Sequence, residues 1–156
     1  IKSETGQLNW YYGDRGFVTV NTPGTVGFIG FPPDSTFNIG NYRFNTSNTF
    51  AVVFITCLEN SKDIKDAKRI LISTFARAEN TGMEHDEDYS DYIERGTKPV
   101  LMEPVNLAFS FPGINSTILH VLDFQGRKLN KEIDAVNNQF MLNGSQYKTN
   151  YYLLEK

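Results

Sequence analysis

The residues best suited to bind a ligand are aromatic ones in polar surroundings. Trp10, Tyr11 and Tyr12 stand consecutively before a glycine-bearing turn, and Tyr89 and Tyr92 lie in an acidic stretch. Aromatic rings can stack on the weakly polar faces of sugars while a few polar groups fix the orientation of the ligand. Because side chains alternate along a strand, at least one of the three consecutive aromatics must face away from the other two. These five residues are the candidate ligand-binding set.

The acidic stretch itself is a candidate ion site. Glu84, Asp86, Asp88 and Asp91 could supply several of the oxygen ligands that calcium prefers. Their spacing does not match the calcium-binding helix–loop–helix pattern, and a solvated acidic loop is the simpler interpretation. The sequence therefore indicates at most a structural calcium, and no other cofactor is required.

Catalytic patterns are missing from the sequence. Nucleophilic catalysis needs a Ser or Cys beside a base, but only His85 and His120 are present and no Gly-x-Ser-x-Gly motif occurs. The single cysteine, Cys57, lies in an apolar run, which predicts a small buried hydrophobic side chain rather than a reactive thiol. We therefore expect a non-catalytic domain and no enzyme activity.

Length predicts the number of domains, and charge and hydropathy argue against nucleic-acid and membrane partners. The 156 residues suit a single domain, and the start at Ile1 predicts a segment excised from a larger protein. A net charge of −3 argues against a nucleic-acid partner, which needs a basic surface. No apolar run approaches the roughly 18 residues of a membrane helix, so no membrane partner is expected.

The spacing of turn signals predicts the fold class. Turns recur about every ten residues, and aromatic residues make up 13% of the chain, which favours strands. We expect an all-β, two-sheet antiparallel β-sandwich, jelly-roll-like, that occupies residues 1–156 and has at most one or two short helical turns. The predicted strands are 8–12, 17–20, 26–31, 37–44, 50–58, 100–103, 105–111, 117–123, 126–130, 139–142 and 151–154. The near-continuous apolar run 50–58 predicts a central strand that is covered on both faces.

The segment 61–78 is ambiguous. Its apolar residues fit a helical face that Ser61 could cap, but residues 69–75 are dense in β-branched side chains and fit a strand as well. Periodicity alone supports a helix and a strand almost equally. The favoured interpretation is a helical turn at 64–68 followed by a strand. Beyond it, 79–82 is predicted to be a turn and 83–98 a polar acidic loop.

Several stretches carry a resemblance to a known family. The strand 50–58, the run Arg77-Ala78-Glu79-Asn80-Thr81-Gly82-Met83 with the strand before it, the opening 4–30 and the segment 99–105 are similar to β-sandwich accessory domains. These domains are appended to secreted bacterial glycoside hydrolases, typically behind a TIM-barrel catalytic domain. The resemblance covers roughly the first two-thirds of the chain, and it implies a strand rather than a helix at residues 69–77.

The resemblance also implies a function. It points to a carbohydrate-binding module that is secreted or held at a bacterial cell surface, with a polysaccharide and the catalytic domain of the same polypeptide as its partners. The alternative is a structural domain that packs on the neighbouring TIM barrel and supports it. A third hypothesis is that residues 83–95 project into the active-site cleft of the parent enzyme.

Arg77, Glu79 and Asn80 have two interpretations. They could line a ligand site at the end of a strand. They could instead be structural, with Asn80 and Gly82 supplying turn geometry and an Arg–Glu pair holding the loop in place.

Overall fold

The computed structural model describes residues 1–13, 15–59, 63–114 and 117–156. Asp14 in the first predicted turn and the proposed cap Ser61 lie outside these ranges. The strands are β1 Leu8–Tyr11, β2 Phe17–Asn21, β3 Thr25–Gly30, β4 Phe37–Ile39, β5 Tyr42–Thr46, β6 Ala51–Cys57, β7 Arg69–Phe75, β8 Ala78–His85, β9 Tyr92–Met102, β10 Asn106–Ser110, β11 Ile118–Leu122, β12 Lys128–Ile133, β13 Phe140–Asn143 and β14 Tyr151–Glu155. A 3₁₀ turn spans Ile64–Asp66 and a short helix, α1, spans Gly144–Tyr147.

The strands form two large antiparallel sheets and a separate hairpin. The first sheet has the order β1-β2-β3-β6-β7-β14-β11-β12, the second has the order β13-β10-β5-β4, and β8 pairs with β9. The predicted all-β, sandwich-like fold with few helical turns is therefore confirmed. Within the described ranges, neither helical element is long and apolar enough to cross a membrane.

The two large sheets share an aromatic core. Phe28 of β3 is fully buried, and its ring lies 5.6 Å from that of Phe17, 5.2 Å from Phe37 and 5.6 Å from Phe44. Phe17 belongs to the first sheet, whereas Phe37 and Phe44 belong to the second, so these contacts join the layers. Such edge-to-face and tilted ring pairs add to the free energy of apolar burial.

The central strand β6 differs in part from the expectation. It lies inside the eight-stranded sheet, and its core-facing residues Ala51, Val53 and Ile55 are fully buried. Its other face is only half-buried, as is Cys57, so the prediction of cover on both faces was wrong. The four-stranded sheet packs on the opposite, fully buried face.

The ambiguous segment is resolved in favour of a strand. After the 3₁₀ turn, β7 inserts between β6 and β14, and Ile70 and Ile72 point into the core. Backbone hydrogen bonds to strands on both sides and the burial of alternate β-branched residues favour a strand over the helix that the periodicity also allowed. The favoured interpretation of a helical turn followed by a strand is confirmed.

The predicted strand 37–44 is in fact two short strands. β4 and β5 pair with each other, and the chain reverses between Ile39 and Tyr42. Gly40 makes the reversal with a φ of 57°, a left-handed conformation that glycine adopts without steric cost.

The turn predicted at 79–82 is wrong, and the loop predicted at 83–98 is correct only for residues 86–91, which connect β8 to β9. β8 and β9 form one long hairpin in which Ala78 pairs with Met102 and His85 with Tyr92. Gly96 permits the pairing, since a Cβ there would lie 2.6 Å from the Thr81 carbonyl oxygen. Few residues of the hairpin are buried, so it lacks the alternating apolar pattern by which a half-buried strand is recognised.

The core contacts of Phe28 give a direct test of the shared core. We expect Phe28→Ala to lower the free energy of unfolding by about 3–5 kcal/mol, because it leaves a cavity between the sheets. The matched control is Phe124→Ala, which removes an exposed ring and should cost less than about 1 kcal/mol. Urea denaturation measures both, and equal losses would contradict the assigned core.

Candidate functional site

The β8–β9 hairpin is twisted into a trough. Its register shifts between Asn80 and Thr81 and again between Glu84 and His85. Irregularities of this kind increase the local twist of a strand pair and redirect side chains. As a result, side chains from both strands and from the connecting turn converge on one concave side.

The base of the hairpin is tied to the sandwich. Glu103 donates its backbone N–H to the Arg77 carbonyl oxygen at 2.8 Å, and Arg77 Nε donates to the Glu103 carboxylate at 3.0 Å. Buried Asn48 donates from Nδ2 to the same carboxylate at 3.0 Å and to the Pro104 carbonyl at 2.9 Å. The Asn48 oxygen accepts the backbone N–H of Asn106 at 2.9 Å. Arg77 therefore pairs with Glu103 and not with nearby Glu79, the partner that the sequence suggested.

These contacts favour the charged forms of Arg77 and Glu103. Partial burial alone would raise the pKa of Glu103, but the hydrogen bonds from Arg77 and Asn48 and the positive charge of Arg77 outweigh it, so the pKa lies below its ordinary value. The hydrogen bond and charge of Glu103 in turn raise the pKa of Arg77, with smaller contributions from Tyr89 and Glu79. Both groups are charged at neutral pH.

The trough has a volume of about 470 Å³ and a mixed lining. Charged, amide and aromatic side chains surround a short apolar floor. The lining residues are Arg77, Glu79, Asn80, Gly82, Met83, His85, Asp86, Tyr89, Leu101, Met102 and Glu103. The structure thus brings Tyr89 together with Arg77, Glu79 and Asn80, all four of which were candidates from the sequence.

An aromatic cluster closes the tip of the hairpin. The His85 ring lies 4.9 Å from Tyr89 and 5.0 Å from Tyr92. Tyr89 has a φ of 59°, which is unusual for a bulky residue, and its side chain is 64% exposed. Tyr89 can therefore offer a ring face to a ligand while His85 supports it from one side.

Asp86 supplies a charged acceptor beside Tyr89. Backbone N–H groups of Asp91 and Ser90 and the Ser90 hydroxyl lower the pKa of its carboxyl group, so it is ionised at neutral pH. Oδ2 accepts the Ser90 hydroxyl at 2.9 Å. Oδ1 is shielded from solvent, so a ligand in the trough does not contact it directly.

The aromatic triplet on β1 lies away from the trough. The rings of Trp10 and Tyr12 contact each other at 6.0 Å, whereas Tyr11 packs on Phe17 at 5.8 Å on the opposite face. The predicted alternation is confirmed. All three side chains are exposed, but the structure does not bring them to Tyr89 or Tyr92.

Tyr11 instead lines a separate groove of about 650 Å³. Its walls are mainly apolar, and Arg15 and Asp34, which form an ion pair at 3.6 Å, are its charged residues. This groove could hold an apolar ligand. It offers fewer hydrogen-bonding groups than the trough.

The proposed calcium ligands are used in local turn contacts. Asp88 Oδ1 accepts the Ser90 N–H at 3.1 Å and Asp91 Oδ1 accepts the Tyr92 N–H at 2.8 Å, while Glu84 lies opposite Glu94 in the hairpin. Among the residues that the structure describes, no group of three or more His, Cys, Asp or Glu side chains could hold a metal ion. Structural calcium stays a prediction that rests on composition.

Sequence reasoning missed three important residues of this site. His85, Asn48 and Glu103 were not candidates, although each supports or lines the trough. Glu103 lies in the predicted strand 100–103, but no pattern in the sequence marks Asn48, His85 or Glu103 as part of a site.

Comparisons with known proteins leave the family open. No family model, no curated protein and no solved structure matches this chain. The resemblance to accessory domains of glycoside hydrolases therefore stays a prediction from the sequence.

The ion pair of Arg77 with Glu103 at the base of the hairpin predicts that the free energy of unfolding depends on pH. Because the folded-state pKa of Glu103 is depressed, its contribution to stability is present above its ordinary pKa of 4.5 and is lost as the pH falls through the lower folded value. We expect the free energy of unfolding to fall below about pH 4.5, and to fall less steeply in Glu103→Gln, measured by urea denaturation between about pH 3 and 7.

Glu94→Gln is the matched control, since Glu94 lies in the same hairpin but is exposed. At neutral pH we expect Glu103→Gln to lose no more than about 1 kcal/mol, because Arg77 is largely exposed to solvent. Identical pH profiles for the wild type and Glu103→Gln would show that this carboxylate does not stabilise the fold.

Proposed function

We propose that this domain is a non-catalytic carbohydrate-binding module and that the trough of the β8–β9 hairpin holds the saccharide. One observation carries the proposal. An exposed tyrosine, Tyr89, lines the same trough as the side chains of Arg77, Glu79, Asn80 and Asp86. An aromatic face combined with a few converging polar groups is the general design of sites for small polar ligands.

The chemistry of the trough suits sugar hydroxyl groups. Carboxylates accept hydrogen bonds from hydroxyls, the Asn80 amide both donates and accepts, and a guanidinium donates. Tyr89 would contribute apolar contact with the ring of the sugar.

The attachment of the hairpin also supports binding. Residues whose positions are fixed before a ligand arrives lose less conformational entropy on binding. The ion pair of Arg77 with Glu103 and the contacts of Asn48 hold the base of the trough to the sandwich. The tip is stabilised by the packing of His85 between Tyr89 and Tyr92.

The resemblance supplies the biological setting of this proposal. We propose on this basis that the domain is an accessory module of a secreted or surface-bound bacterial glycoside hydrolase and that its ligand is a plant-type polysaccharide. The module would keep the catalytic domain near its substrate by raising its effective concentration there.

The alternative function, support of a neighbouring catalytic barrel, is favoured by a different observation. Val100, Leu101 and Met102 at the base of the hairpin are exposed, and Phe124 borders the same depression. Exposed apolar side chains grouped in this way mark protein contacts. This alternative requires no saccharide binding by the trough.

Removal of the tyrosine ring tests the proposed function. We expect Tyr89→Ala to weaken retention on a bound polysaccharide at least about fivefold, the effect of a lost contact of more than about 1 kcal/mol. Affinity electrophoresis in gels with a panel of plant polysaccharides measures this retention. Tyr12→Ala is the matched control, since Tyr12 is similarly exposed, at 69%, and lies outside the trough.

Equal retention of Tyr89→Ala and the wild type on a polysaccharide that the wild type binds would contradict the trough as the site. Loss of retention in Tyr11→Ala instead would assign binding to the groove beside β1. Failure of the wild type to bind any member of the panel would favour the supporting role.

A further inference from the structure

The eight-stranded sheet has an outer face that is apolar over most of its width. The outer face is the side that points away from the core, as assigned from the strand registers. Strands β1, β2, β3, β6, β7 and β14 contribute to it. Three of its apolar side chains, Leu8, Trp10 and Ile29, are exposed, and Leu153 is buried. The other apolar side chains are half-buried: Val18, Val20, Val52, Phe54, Leu71, Phe75 and Tyr151. Thr25, Thr56 and Ser73 are polar members of the same face.

The four-stranded sheet shows the opposite pattern on its outer face. There the exposed or half-exposed side chains are mainly polar, including Asn38, Arg43, Asn45 and Ser110. An antiparallel sheet that faces water normally alternates in this way. The large sheet therefore departs from the rule that the small sheet of the same molecule follows.

Charge on the outer face is confined to one end. Arg69 and Glu155, which lie 3.9 Å apart, mark this end, and His120 lies between Glu132 and Glu155 with nitrogen–oxygen distances of 3.3 and 3.1 Å. Lys128 also binds Glu155, at 2.5 Å. These groups balance one another, so two copies of the face can approach without a large like-charge repulsion.

The face is large enough for a specific interface. With strands about 4.8 Å apart and a rise of about 3.3 Å per residue, six strands cover roughly 600 Å². Two such faces would bury roughly 1,200 Å² in total, which is the lower limit of specific protein interfaces.

We propose that this chain forms a two-fold symmetric dimer in which the outer faces of two eight-stranded sheets pack together. A two-fold axis places the same patch on both sides, so a mainly apolar face whose charges are paired can pack on a copy of itself. Trp10, 51% exposed at the margin of the face, is the expected anchor, because large aromatic residues dominate interface energies. The trough residues lie on the separate β8–β9 hairpin, so the dimer presents two troughs.

Sedimentation velocity of the whole chain over about 1–200 µM tests the proposal, because interfaces at the lower size limit are often weak and transient. We expect the wild type to shift from the mass of one chain towards twice that mass as the concentration rises. Ile29→Lys and Trp10→Ala should each weaken dimerisation at least about tenfold. Met141→Lys, a 59% exposed position on the four-stranded sheet, is the matched control and should leave it unchanged.

Far-ultraviolet circular dichroism and the melting temperature establish that each variant is folded. A monomeric wild type at every concentration overturns the proposal, and so does a dimer that Ile29→Lys and Trp10→Ala leave intact. Tyr89→Ala should dimerise like the wild type. Loss of saccharide binding and loss of dimerisation are thereby separated, and either proposal can fail alone.

Discussion

A single buried amide, that of Asn48, determines where the candidate site lies relative to the sandwich. It contacts the Glu103 carboxylate, the Pro104 carbonyl and the Asn106 N–H, which are the residues that lead from the hairpin into β10. Glu103 in turn holds Arg77, the residue that leads from β7 into β8. Both connections of an otherwise exposed hairpin are thus fixed at one point. Since a buried hydrogen-bonded group is costly to leave without its partner, this point has a defined geometry.

The two faces of the large sheet have different roles. The inner face packs on the second sheet through aromatic residues such as Phe28 and Phe44, and this contact stabilises the fold. The outer face contributes little to that core but keeps an apolar composition. In our two proposals, the same sheet supplies the core with one face and a dimer interface with the other, while a saccharide binds to a hairpin that belongs to neither sheet.

The sequence predicts the parts of the fold in which one face is buried. Strands β2, β3, β6 and β7 alternate or are rich in β-branched residues, and their positions follow from that pattern. The hairpin has no buried face, so no alternating apolar pattern marks its two strands, and the sequence predicts a loop over much of it. Tyr89 could be proposed as a ligand residue from its type alone. Asn48 and Glu103 could not be paired, because 55 positions separate them in the sequence and only the folded topology brings them together.

The central claim is that a saccharide occupies the trough, and mapping of backbone amide resonances tests it most directly. The ¹⁵N-labelled domain would be titrated with soluble oligosaccharides from the polysaccharide that it retains best. If a saccharide binds in the trough, we expect shifts concentrated in residues 77–103, with the largest near Tyr89 and Asp86. Shifts concentrated around Tyr11 and the groove beside β1, with the hairpin unchanged, would contradict it.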